Sequence, residues 1–343
     1  MADAEEFFYQ TPRVASTWDD LLEGVTSTAD WPERRASIQT RFLELLRDEA
    51  RPPRPSLDVY VEERVLVDGI YERWSITYPV GSDERAHAYL GIPVDARLPL
   101  PGVVALHQTT PQGTLQITGQ DEHLDQAFLD QLCRRGFAVL APEHFVAGRR
   151  IPPEGPYETK RFYDKHPEWT AVGKSVFEHS IALDVLAGRP EVDEKRLGCV
   201  GHSLGGHGAY FLAAYDDRVR AAVGNCAAPC FRHNPEVESW ARDAWYVYFA
   251  HLRPLILQRR PIPIDFHEIL ALIAPRALLD ISGCNDGDVG CQRQRVLMLM
   301  KVAELYDLLG SPQQCAYFVH GFGHAVPLES RELIAGFLQR VLE

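Results

Sequence analysis

The stretch Leu197-Gly-Cys-Val-Gly-His-Ser-Leu-Gly-Gly206 decides how the chain is read. A short apolar run ends in Gly201-His-Ser203-Leu-Gly205 and passes directly into an alanine-rich segment, the pattern of a strand, a tight turn and a helix. Ser203 then sits at the tip of the turn. Such a turn strains the serine backbone and leaves no space beside it, so Gly201 and Gly205 provide room and Gly206 lets the helix pack close. In this setting Ser203 is the candidate nucleophile of a serine hydrolase.

Outward from this turn, strand-like runs alternate with helical ones. The strands are expected at Gly102–Leu106, Phe137–Ala141, Leu197–Val200, Val219–Gly224, Ala277–Ser282 and Cys315–Val319. Between them, Leu124–Arg135 reads as a helix with Leu124, Phe128, Leu129 and Leu132 on one face. Leu328–Val341 reads as another, with Leu333, Ile334, Phe337, Leu338 and Val341 inward. Alternation of this kind predicts an α/β fold, a mostly parallel central sheet with helices on both faces. Three earlier strands, Asp58–Val67, Tyr71–Pro79 and Ala86–Val94, form its antiparallel start, with Asp68-Gly69 as a hairpin turn. Residues 1–57 form a peripheral helical extension, with Ile38, Phe42, Leu45 and Leu46 on one face, followed by the proline-rich linker Arg51–Pro55. Residues 58–343 make one domain, interrupted at about 226–266 by a lid-like insertion.

Composition narrows the functional class. The chain has 343 residues and a formal charge of −13, which disfavours nucleic acid and anionic membranes as partners. No apolar run approaches the roughly 20 residues that span a bilayer. The start, Met-Ala-Asp-Ala-Glu-Glu, is acidic where a secretory signal is basic and then apolar, so a cytoplasmic protein is expected. Seven scattered cysteines lack zinc spacing and read as reduced, packed thiols, and no metal or cofactor is expected.

A serine hydroxyl needs an imidazole to take its proton, and the imidazole needs a carboxylate to fix its tautomer. In hydrolases with such a turn the order is serine, acid, histidine. Ala277–Gly283 gives the strand and Cys284-Asn-Asp286 the loop that carries the acid, with Asp288 as the rival to Asp286. Tyr317-Phe-Val-His320 is the last strand, and His324 lies in the glycine-flanked loop beyond it, so His324 is the base and His320 structural. The oxyanion hole combines the Leu204 N–H with one from the loop after the first parallel strand, where Gln108 or Thr109 supplies the second donor. The insertion is dense in aromatics: Phe231, Trp240, Trp245, Tyr246, Tyr248 and Phe249. Helical spacing puts most of them on one side, either as ordinary core or as walls of a small pocket. His107, His202 and Phe322 adjoin the same loops and are expected to line that pocket with Trp240 and Trp245.

The combination of Leu106-His-Gln-Thr-Thr110, Gly136-Phe-Ala-Val-Leu-Ala-Pro142, Pro190-Glu-Val-Asp193, Arg196-Leu-Gly198, Gly201-His-Ser-Leu-Gly-Gly206 and Gly323-His324 resembles the α/β-hydrolase superfamily. Over about residues 58–343 the chain is most similar to the branch that groups dienelactone-hydrolase-like with acetyl-xylan-esterase-like proteins. Dienelactone hydrolases proper use a cysteine nucleophile, so Ser203 moves the reading toward carboxylic ester hydrolysis. The resemblance implies the same triad of Ser203, His324 and Asp286. It implies a small-molecule ester as substrate, with short acyl or sugar-acetate groups. A peptidase or amidase of the same fold is the nearer alternative, although such peptidases bring a larger N-terminal domain than 57 residues allow. An inactive ligand-binding protein on the same fold is the other.

Overall fold

The computed structural model describes residues 14–343 except 123, 228, 229, 233, 235 and 288. Nine strands form one sheet in the order β1-β2-β3-β5-β4-β6-β7-β8-β9. They are β1 (Tyr60–Val67), β2 (Tyr71–Pro79), β3 (Arg85–Pro93), β4 (Leu100–Leu106), β5 (Ala138–Pro142), β6 (Val192–His202), β7 (Val219–Asn225), β8 (Ala277–Gly283) and β9 (Cys315–His320). β1, β2, β3 and β5 pair antiparallel, and every pairing from β5–β4 to β8–β9 is parallel. Asp68 at φ 51° and Gly69 at φ 73° make the β1–β2 turn, both left-handed, as a two-residue hairpin of matching twist requires.

β4, β5 and β8 are buried at every residue because helices cover both faces of the sheet. Side-chain alternation divides the core in two. Val104 and Leu106 of β4 join the larger cluster beneath helices Ala171–Ala187 and Leu204–Tyr215, while Val103 and Ala105 join the cluster beneath Phe128–Cys133 and Leu328–Leu342. No helix among the described residues is long and apolar enough to cross a membrane.

Four local expectations are corrected. The Leu124–Arg135 segment is a 3-10 turn, Leu124–Gln126, and a separate helix, Phe128–Cys133. Ala127, at ψ 56°, breaks the run, which leaves Leu124 57% exposed while Phe128, Leu129 and Leu132 are buried. In the last helix Ile334, Phe337 and Leu338 are buried, but Leu333 falls to the side of that stripe and is exposed. The helix Trp31–Leu46 is not peripheral. Its Phe42 stacks on Phe211 at 6.1 Å, Leu46 O accepts from the Thr170 hydroxyl at 2.8 Å, and Arg41 pairs with the buried Glu268. Finally, among its described residues the insertion holds only 3-10 turns and short helices, so its aromatics share no helical side. Phe231, Trp240 and Phe266 instead meet as a buried cluster with centroids 5.0–5.5 Å apart.

Candidate active site

β6 delivers Ser203 in a conformation that a serine avoids elsewhere, φ 56° and ψ −118°. Sequence explains why the turn closes so tightly. A Cβ on Gly201 would lie 2.1 Å from Gly205 O, and one on Gly205 would lie 2.1 Å from Leu106 O, so backbone occupies the space of both side chains. Ser203 N donates to Asn225 O at 2.8 Å, and Ser203 O accepts from His207 N at 3.1 Å, which pins the turn between β7 and the helix it starts. Leu204 begins that helix, so its N–H belongs to the first turn, where no intrahelical acceptor exists.

The loops after β8 and β9 bring the acid and the histidine together. Cys284 N donates to His320 O at 2.8 Å and Asn285 N to Phe322 O at 3.2 Å. Asn225 Nδ2 donates to Ala325 O at 3.0 Å, tying the histidine loop to the end of β7. His324 Nδ1 lies 3.0 Å from both carboxylate oxygens of Asp286. Burial works to raise the Asp286 pKa, but the His324 hydrogen bond and charge outweigh it, with help from the Cys226 thiol. The carboxyl is held below its ordinary range. Ser203, His324 and Asp286 all line a single cleft of about 230 Å³.

Comparison with known proteins agrees with this architecture. The family described as glucuronyl esterase, fungi, matches residues 157–310. The hydrolase YtaP of Bacillus subtilis (strain 168) is 28% identical over 258 residues, covering 74% of this chain and 81% of its own. A glucuronoyl esterase from Solibacter usitatus superposes with a TM-score of 0.76 over 98% of each chain at 19% identity. The chain has the α/β-hydrolase fold. A Bacteroides fragilis NCTC 9343 protein described as an acetyl xylan esterase shares the fold at TM-score 0.66 and 15% identity, over 90% of this chain and 79% of its own.

Of the pocket residues expected from sequence, this α/β-hydrolase fold places only Trp240 in the wall of the cleft. His107 turns away: its Nδ1 meets Gln108 O at 2.7 Å and its Nε2 accepts from His144 N at 3.1 Å, and burial holds its pKa below the ordinary value. His202 is fully buried beneath the turn, where Asn225 Nδ2 donates to its Nδ1 at 2.7 Å. Burial pushes its pKa down to about 3, so a neutral ring lies 4.5 Å from the His324 ring and adds no charge beside it. Phe322 is 54% exposed outside the cleft, and Trp245, at φ 59°, turns into a neighbouring one. His320 is buried, with its Nδ1 accepting from Phe322 N at 3.2 Å. Asp288 lies outside the described residues.

The β4 loop is anchored by Tyr157, whose hydroxyl donates to Gln108 O at 3.1 Å and accepts from Thr110 N at 2.9 Å. The Gln108 side chain donates to Gln116 at 3.1 Å, and Thr109 is exposed. Sequence reasoning missed the polar lining: Asn234, Glu236, Ser239 and Gln292 face the same cleft as Ser203. They carry no motif, and three of them lie in an irregular segment without periodicity. Cys226 was missed as well. Among the described residues, Cys226, Asp286 and His324 alone could together hold a metal ion, with one donor atom from each within 4.8 Å, although Asp286 and His324 are already bonded to each other.

Proposed function

We propose that this hydrolase cleaves carboxylic esters of carbohydrates through an acyl-enzyme on Ser203. Its Oγ bonds to the ester carbonyl carbon while His324 Nε2 takes the hydroxyl proton, and the Leu204 N–H with a donor from Gln108 or Thr109 meets the developing oxyanion. As the alcohol C–O bond breaks, His324 returns that proton to the leaving oxygen. Water, activated by the same imidazole, then releases the acid and restores Ser203. Asp286 holds Nδ1–H, so that Nε2 is the nitrogen left for proton transfer.

The observation that carries the reading is the lining of the cleft shared by Ser203, Asp286 and His324. Asn234, Glu236, Ser239, Arg242 and Gln292 offer hydrogen-bonding groups, and Trp240 and Tyr248 add ring faces. That mixture suits a sugar, which presents hydroxyls at its edge and C–H groups on its face. A long acyl chain would bury those polar groups unpaired. Acetylated sugars and methyl esters of sugar acids, set against p-nitrophenyl octanoate, test the reading. It predicts turnover of at least one carbohydrate ester and weak turnover of octanoate; the reverse preference refutes it. Six of the cysteines are free thiols, which supports placing the enzyme in the reducing cytoplasm; recovery in an extracellular fraction would overturn that placement.

A further inference from the structure

A second cleft, of about 390 Å³, meets the catalytic cleft at one residue, Arg242, which lines both. The other cations of this second cleft are neutralised at home. Lys160 bonds Asp164 at 2.6 Å, and Arg253 pairs with Asp243 at 2.7 Å. Arg242 has no ion pair among the described residues, and its Nη1 is buried without a hydrogen-bond partner. The two acids of the catalytic cleft do not supply one: Asp286 is bonded to His324, and Glu236 makes no ion pair with Arg242.

The guanidinium is held in place by rings. Its central carbon stands 5.0 Å from the Trp245 ring and 5.6 Å from the Tyr248 ring, and the group also hydrogen-bonds the Tyr248 side chain, so it sits between one wall of each cleft. Trp245 is itself fastened, with Nε1 donating to Pro156 O at 3.1 Å and its O accepting from the Thr159 hydroxyl at 2.7 Å. A guanidinium held between two rings at the junction of two clefts, with no ion pair of its own among the described residues, is matched to a planar carboxylate.

We propose that Arg242 binds a free carboxylate carried by the substrate, so that the preferred esters are those of acidic saccharides. The sugar with the scissile ester occupies the catalytic cleft, its uronate group or that of the next sugar meets Arg242, and the second cleft leaves room for the saccharide to continue. This inference rests on the carbohydrate-ester reading above.

The test compares kcat/KM for acetylated glucose against acetylated glucuronate, and for acetylated cellobiose against acetylated cellobiouronate. A charge-assisted pair predicts a preference of at least about tenfold for the uronate in one of the two comparisons. That ratio collapses toward one in Arg242→Gln, is partly kept in Arg242→Lys, and shrinks with added salt. Melting curves confirm that the variants fold. Should Arg242→Gln not fold, competition on wild type decides: free glucuronate must inhibit at least about tenfold better than glucose. Wild-type ratios near one in both comparisons, or a uronate preference that survives in folded Arg242→Gln, overturn the proposal. If the neutral acetates are still cleaved and Ser203→Ala abolishes that cleavage, ester hydrolysis stands and only the role of Arg242 falls. If no ester is cleaved, the carbohydrate-ester reading falls, and this inference with it.

Discussion

Replacing Gly205 with alanine puts a carbon where the end of β4 already is. The new Cβ would stand 2.1 Å from Leu106 O, 2.6 Å from Leu106 C and 2.8 Å from His107 O, all backbone atoms. Ordinary contact needs about 3.5 Å. The turn must therefore move by more than about 1 Å, or β4 must, and β4 is paired to β5 on one side and to β6 on the other. Overpacking against a flexible side chain costs roughly 1–3 kcal/mol, and rigid backbone on both sides puts this case at the top of that range or above. At about 2–4 °C per kcal/mol for somewhat smaller domains, the melting temperature should fall by roughly 5–10 °C. A shift of about 1 Å in Ser203 should also cut kcat by on the order of a hundredfold in the folded variant. Thermal unfolding and p-nitrophenyl acetate turnover measure the two effects. Gly206→Ala is the control, because its Cβ would meet Asn225 O at 3.0 Å and the Ala227 methyl at 3.2 Å, a milder crowding. If Gly205→Ala melts and turns over like wild type, the close packing of turn on strand is wrong.

Glu178 is buried against Arg150 at 2.5 Å and Lys174 at 2.7 Å; burial would raise its pKa, but the two cations hold it down at about 2. Its folded value is depressed, so its contribution to stability is complete above the ordinary 4.5 and is lost as pH falls through about 2. Glu178→Gln should therefore lose about 3 kcal/mol at pH 7, where it leaves Arg150 and Lys174 with Glu84 as their one shared carboxylate, and urea titrations should show the gap to wild type narrowing from pH 4.5 to pH 2. Trp240, 3% exposed, lines the catalytic cleft, whereas Trp245, 38% exposed, lines the neighbouring one. Trp240→Ala should cost about 3–5 kcal/mol and raise octanoyl over acetyl kcat/KM, while Trp245→Ala should cost less and leave that ratio alone; the opposite ranking contradicts the assignment.

The sheet was legible because each strand is a short apolar run bounded by turn residues, and the Ser203 turn was legible because backbone crowding permits only glycine at its neighbours. His324 and Asp286 lie in loops, yet each is fixed by following a readable strand, and the structure brings them within hydrogen-bonding distance. Leu124 and Leu333 were misplaced because periodicity assumes an unbroken helix with an even stripe. The cleft lining was not legible for a different reason. Asn234, Glu236 and Ser239 reach the cleft through 3-10 turns and irregular backbone, with neither period nor motif to show which way a side chain points. His107 and His202 were drawn into the pocket by their nearness in sequence to the loops, although their hydrogen bonds turn them into the core.

The proposed chemistry depends on Ser203 being a nucleophile activated by the His324–Asp286 pair. Treating wild type with a fluorophosphonate probe at neutral pH and locating the adduct by peptide mass spectrometry tests it most directly. An activated Ser203 gives one adduct per chain, absent in Ser203→Ala and formed far more slowly in His324→Ala. An unlabelled wild type, or an adduct on any other residue, would contradict it.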